Sequence, residues 1–267
     1  MKTSIQLYNE LEKVVTYFYT TFRLDKFEKN KGRKLALSII NIVSLGVFKQ
    51  FNGIPTKKAI FRIFRPKCSY KTLVVNINRF AKIALFILSA LMKMNNKNSH
   101  VIKHTDSTEI PVCLNKNARS HKVMRGFAAW GKNGKGWFFG LKMHITTDLK
   151  RKLLAVKFSP GNTPDSQMFM ELNKEINGIF VADGAYVSEK LAAEVHRMGK
   201  GFLFAKPRRN MKKLITDFQF HLYNTRMLIE INFRNLKQFH GLITSLPVSV
   251  NGYFANYIYS LLAYQFA

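Results

Sequence analysis

Negative charge is what this sequence has least of. Fifteen Asp and Glu stand against 43 Lys and Arg, a net charge of +28 at pH 7. No acid occurs between Glu28 and Asp106, and a second acid-free run covers Ile110–Thr147. Self-repulsion on that scale is useful against a polyanion, of which nucleic acid is the commonest, and it excludes a protein built around cationic or neutral partners. Cysteine is nearly absent too. Cys68 and Cys113 are the only two, which rules out a disulfide-stapled scaffold, and neither has the short Cys/His spacing of a zinc site. No glycine-rich loop ending in Lys-Ser/Thr is present, so a nucleotide-hydrolysing domain is not expected.

Long uninterrupted apolar runs are also missing. Nothing like a signal peptide follows Met1, because Glu10 and Glu12 arrive first. Leu35–Phe48 carries Ser38, Asn41 and Ser44 at three-residue spacing, as in a buried helix of a soluble protein. Ile83–Met92 falls short of the ~20 residues a membrane-spanning helix needs. Gly241–Ala267 has no charge but is interrupted by Pro247, Asn251, Gly252, Asn256 and Ser260, and reads as a helix closing over the core. A soluble, cytoplasmic protein with no membrane partner is expected.

What is present is enough apolar material for a core, 47% of the residues. Residues 1–98 read as helices: Leu7–Phe22, Lys34–Phe48, Thr56–Phe64 after the break at Asn52-Gly53-Ile54-Pro55, and a helix capped by Ser69 running to about Met92. The last two suit a helix-turn-helix whose second helix carries Lys71, Asn76, Asn78 and Arg79. The polar stretch Met94–Ser99 is the expected domain boundary. Strands dominate next: Val101–Val112, then Trp137–Ile145 paired with Leu153–Phe158 across the turn Asp148–Arg151. In the second strand Lys142 and His144 fall on the side predicted to be polar, within reach of DNA. Thr163 is the expected cap of a helix with Pro164 in its first position. Gly178–Ala182, a helix Ser188–Met198, a strand Phe202–Ala205 and a long helix Leu214–Phe239 complete the order. That order implies an α/β mixed sheet flanked by helices, of which the ribonuclease-H-like fold is one.

Because acids are scarce, their positions are informative. Asp106 lies inside the first strand, and Asp183 directly follows Gly178–Ala182, at the strand end where open α/β sheets place ligands. Glu230 sits in the last helix. At about 100° per residue, Tyr223, Arg226, Glu230 and Lys237 share an arc of roughly 60°, beside a stripe of Leu222, Ile229, Phe233 and Leu236. Two readings of Glu230 stand: a metal-binding carboxylate with cations nearby for phosphate, or half of an Arg226–Glu230 ion pair one turn apart.

The spacing Tyr223, Arg226, Glu230, Lys237 resembles the Tyr-Arg-Glu-Lys signature of DDE transposases from bacterial insertion sequences. The rest resembles the group named after insertion sequence 982, through His104–Cys113, Arg119–Val123, Gly136–His144, Pro160–Asn162 and Ala182–Tyr186. It implies a helical, helix-turn-helix-like DNA-binding domain over 1–98 and a ribonuclease-H-like catalytic domain over 99–267. It further implies that Asp106, Asp183 and Glu230 are catalytic and hold two Mg²⁺ ions, with Mn²⁺ able to substitute. Tyr223, Arg226 and Lys237 would contact DNA phosphate, and the basic side chains Lys122, Arg125 and Lys142 are further candidates. The substrates implied are double-stranded DNA, namely the terminal inverted repeats of the element and a target. The setting is the bacterial nucleoid, and holding two element ends together implies a homo-oligomer on DNA. The alternatives are a catalytically inactive DNA-binding remnant or repressor of transposition, and a host nuclease of the same fold.

Overall fold

Capping residues set most of the helix boundaries in this chain, whose computed structural model describes residues 4–27, 34–134, 136–207, 211 and 214–267. Helix α1 spans Ser4–Thr21. Helix α2 spans Ile39–Phe51, beginning later than the Lys34 expected, because the Ser38 hydroxyl accepts from the Asn41 amide at 3.1 Å and starts the helix there. Thr56 caps α3 (Lys57–Phe64) in the same way, and Arg65 ends it in the left-handed conformation. Ser69 accepts from the Thr72 amide at the head of α4, Tyr70–Lys97. This 28-residue helix runs past the Met92 end expected for it and through Met94–Lys97, part of the polar stretch expected as the domain boundary. Among the described residues it is also the one helix long and apolar enough to cross a membrane, and half of its most apolar stretch is buried within the protein.

The chain forms two compact units, Met1–Leu91 with Asn235–Ala267, and Met92–Arg234. The expected division at 98/99 had assigned everything after it to one domain, whereas the last segment groups with the N-terminal helices. Residues Val250–Phe266 form a helix, here α9, buried along most of its length, and α2 packs against both α1 and α9. Gly46 makes the α2–α9 approach close: a Cβ there would lie 2.6 Å from the Tyr259 ring.

The second unit is built on a mixed sheet. Its strands are β1 (Ile102–Pro111), β2 (Ala129–Asn133), β3 (Gly136–Asp148), β4 (Leu153–Pro160), β5 (Gly178–Ala182) and β6 (Gly201–Ala205). Strand β2 went unrecognised because its sequence, Ala-Trp-Gly-Lys-Asn, lacks β-branched residues. Strand β3 pairs antiparallel with β1 along one edge. Its other edge is shared by β2, over Gly136–Gly140, and by β4, over Leu141–Thr147. Strand β5 lies parallel to β1, and β6 parallel to β5. Helices α5 (Asp165–Leu172) and α6 (Glu189–Arg197) cover the sheet through a core that includes Phe169, Ile176, Phe180, Leu191 and Val195. The Phe169 and Phe180 rings meet edge to face, 5.2 Å between centroids.

Two expectations fail on the way to the C-terminus. The α5 N-cap is Pro164, without a side-chain cap, not Thr163. The predicted long helix Leu214–Phe239 is two helices, α7 (Asp217–Asn224), with a Thr216–Gln219 capping box, and α8 (Met227–Gln238). Thr225 and Arg226 lie between them, and the Thr225 hydroxyl bonds back to the Leu222 carbonyl at 2.7 Å. Leu222, Ile229, Phe233 and Leu236 are buried as the apolar stripe required.

Candidate active site

Strand register brings the two aspartates together. Ile102, Lys103 and His104 of β1 pair with Ile179, Phe180 and Val181 of β5. Continuing that register past Thr105 and Ala182 sets Asp106 beside Asp183, where β5 ends. Alternation along β1 puts His104 and Asp106 on one face. Both meet the α7–α8 junction: His104 Nε2 lies 2.8 Å from Thr225 Oγ1, and Asp106 Oδ2 accepts from Arg226 Nη2 at 2.6 Å. The second oxygen of Asp106 accepts from the Ser107 amide at 2.8 Å. Asp183 caps a short 3₁₀ turn, accepting from the Ala185 amide at 2.8 Å.

Arg226 is the hub. Its Nη1 donates to Glu230 Oε1 at 2.8 Å, so one guanidinium spans the β1 aspartate and the α8 glutamate. The Glu230 side chain is 61% exposed, whereas that of Arg226 is 16% exposed. The ion pair of the second reading forms, and through Arg226 it leads to Asp106.

Burial is the main influence on Asp106 and raises its pKa to about 7; Arg226 opposes this, and the charge of Asp183 adds to it. Burial works against the Arg226 charge, yet the facing Asp106 and Asp183 carboxylates raise its pKa, so it stays a cation. Tyr186 lies buried near these groups. Its hydroxyl is pushed well above the ordinary range, first by burial and then by Asp106, Asp165 and Asp183.

Asp165 is the acid the sequence reading passed over. It accepts from Ser107 Oγ at 2.8 Å and from Lys142 Nζ at 3.0 Å, and His144 Nδ1 is 3.9 Å away. The available signal was the rarity of acids in this chain, 15 in 267 residues. Lys142, assigned to DNA, instead spends its amine on Asp165 and the Thr163 carbonyl. His144, expected on a polar side, is fully buried and bonded to Ser159 Oγ at 2.8 Å, because β3 is covered on both faces. Burial lowers its pKa to about 4, so it is neutral at pH 7.

The remaining candidates are dispersed. Lys122 and Arg125 are exposed in the loop between β1 and β2, where Arg125 donates to the Arg119 carbonyl at 3.0 Å. Tyr223 is in α7, with the Lys206 amine 4.8 Å from its ring centroid. Arg226, expected at a DNA phosphate, here bridges Asp106 and Glu230. Lys237 belongs to the last turn of α8, in the other unit. The helical break thus divides the four-residue signature between α7, the junction and α8.

As a donor set, three carboxylates suit a hard divalent cation. As arranged, Asp106 and Glu230 are held by the guanidinium, and among the described residues no three His, Cys, Asp or Glu side chains converge closely enough to grip an ion.

The fold is similar to that of a solved DNA transposase. A piggyBac transposase in a synaptic complex with hairpin DNA matches with a TM-score of 0.51 at 11% identity, over 96% of this chain and 72% of that one. The Mos1 mariner paired-end complex with Mn aligns at 11% identity and a TM-score of 0.27, over 98% of this chain and 90% of that one. No curated protein sequence matches the chain. The family model described as "Transposase DDE domain" matches residues 96–245, more than half the chain, and the chain belongs to that family. It is a transposase of the DDE type, an enzyme of the phosphoryl-transfer class.

Proposed function

We propose that the chain cuts DNA at the ends of an insertion sequence and joins the freed ends to target DNA, with Asp106, Asp183 and Glu230 as the divalent-metal ligands. One observation carries this reading: the β1–β5 register sets Asp106 beside Asp183 at a strand end, and Arg226 links the pair's edge to Glu230. A bound pair of Mg²⁺ ions, or Mn²⁺ in their place, supplies activation of the attacking oxygen and stabilisation of the leaving one. The chain's own part is to place the carboxylates and to release them. Arg226 must let go of Asp106 and Glu230 for those oxygens to turn to a cation, and it is then free to pair with a DNA phosphate. In the first reaction water attacks phosphorus at the element's end, the P–O3′ bond breaks, and a 3′-hydroxyl is released. That hydroxyl then attacks a phosphorus of the target, the new P–O bond joining the element's 3′ oxygen to the target's 5′ phosphate as the target's own P–O3′ bond breaks and its 3′-hydroxyl is released.

The helices of the N-terminal unit are assigned to recognition of the terminal repeats, supported by the acid-free sequence from Lys29 to Thr105. Exposed Lys122 and Arg125 are assigned to the DNA backbone, as are Tyr223 and Lys237 by the resemblance. A bacterial insertion sequence of the 982 group, a cytoplasmic setting and an oligomer on DNA complete the proposal. The experiment is cleavage of duplex DNA carrying the element's end, in Mg²⁺ or Mn²⁺. Wild type should nick at the end, and Asp183→Asn should bind the DNA equally and leave it intact. Equal nicking by both proteins would overturn the assignment.

A further inference from the structure

A cavity of about 590 Å³ opens within the N-terminal unit, lined by four lysines: Lys49 of α2, Lys57 and Lys58 in the first turn of α3, and Lys71 in the first turn of α4. No acid lies among the lining residues, and among the described residues none of the four amines pairs with a carboxylate. Sequence explains this, since the unit's only acids are Glu10, Glu12, Asp25 and Glu28. Lys49 is 8% exposed and its amine has a neutral partner, Gln50 Oε1 at 2.7 Å. Lys57 donates to the amide oxygen of Asn78.

Burial lowers both amines to about 8, and for Lys49 the charge of Lys57 adds to the effect. Buried cations gathered around a cavity with only amide acceptors are costly unless an anion joins them. The first turns of α3, α4 and α9 also reach the cavity, adding the partial positive charge of three helix starts. A lone phosphate needs only part of this volume. The rest of the wall is apolar, with Val74, Pro247 and Val248, and its volume lies in the range of sites for small organic ligands.

We propose that this cavity binds a nucleoside phosphate, with its phosphate on Lys49, Lys57, Lys58 and Lys71 and its base on the Val74–Pro247–Val248 wall. The ligand chemistry has two sources, a free nucleotide or a nucleotide of a DNA strand, and the site does not depend on cleavage at Asp106.

The test uses the full chain and dAMP as probe, with binding read by calorimetry and by thermal shift. Wild type should bind dAMP saturably. The double variant Lys58→Gln/Lys71→Gln, altered at exposed positions that leave folding intact, should bind it about tenfold more weakly. Lys49→Met should lose the dAMP shift while its ligand-free melting temperature stays level or rises, because an uncompensated buried cation has gone; a purely structural lysine would lower it. If duplex DNA displaces dAMP, the occupant is a DNA nucleotide; if it does not, the occupant is a free one. Absence of saturable dAMP binding by wild type, or unchanged binding by the double variant, would overturn the proposal.

Discussion

Arg226 holds Asp106 through a 2.6 Å ion pair in which the side chains are only 16% and 10% exposed. The arginine therefore stands in the place a cation would take beside that carboxylate. Removing it tests what it supports. Arg226→Ala leaves Asp106 buried without its counter-charge, and stability should fall by about 3–5 kcal/mol at pH 8 in the presence of a chelator. The loss should shrink at pH 5, where Asp106 carries a proton. Calorimetric melting at the two pH values checks both statements.

The pKa of Asp106 sets a pH window. Its folded value, about 7, lies above the usual carboxylate value of 3.8. The unfolded chain releases this proton first, so the favourable contribution is complete below about pH 4 and is lost as pH rises toward 7. Asp106→Asn does not titrate, so its stability relative to wild type should improve across that interval. Denaturation of the two proteins in parallel at pH 4, 5.5 and 7 measures it. A constant difference between them would contradict the raised value.

Tyr186 is surrounded by acids, but among the described residues its buried hydroxyl has no hydrogen-bond partner. The ring, 6.0 Å from that of Phe169, is what the core uses. Tyr186→Phe should leave cleavage unchanged and hold or slightly raise the melting temperature, since an unsatisfied polar group is removed. A large loss of cleavage would give the hydroxyl a part in the chemistry.

Gly140 tests how far the site depends on strand register. It pairs with Pro111 across β1 and β3, and a Cβ there would lie 2.1 Å from the Ile110 carbonyl oxygen. Gly140→Ala must push β1 away from β3. It should cost several kcal/mol, about the scale of an overpacked core, and lower cleavage through displacement of Asp106. Melting and cleavage measured on the same preparation separate this from a silent change.

Much of this was legible in the sequence. Asp183 could be placed because it follows β5, an apolar run with a clear end, and Asp106 because a scarce acid inside an extended segment stands out. Ser69 was legible as a cap, since it offers an oxygen to the otherwise unpaired Thr72 amide, whereas Ser38, read as part of a polar stripe within the helix, proves to be the cap that starts α2. The break at Thr225-Arg226 was not legible, since both flanking segments keep helical periodicity and no glycine or proline marks the junction. Tertiary contacts, His104 to Thr225 and Asp106 to Arg226, accompany it. The grouping of α9 with the N-terminal helices was equally hidden, because periodicity shows that a face is buried without saying against what. Lys142 and His144 were misread for a related reason: alternation separated two sides of β3, and α5 covers the side assumed to be open.

The most direct measurement is Mn²⁺ titration at pH 8, followed by loss of the free-ion electron paramagnetic resonance signal, in wild type, Asp106→Asn, Asp183→Asn and Glu230→Gln. Wild type should bind saturably, and each variant should bind at least about tenfold more weakly, because each loses one charged oxygen ligand. Equal binding in all four proteins, or none in wild type, would contradict a metal centre shared by these three acids.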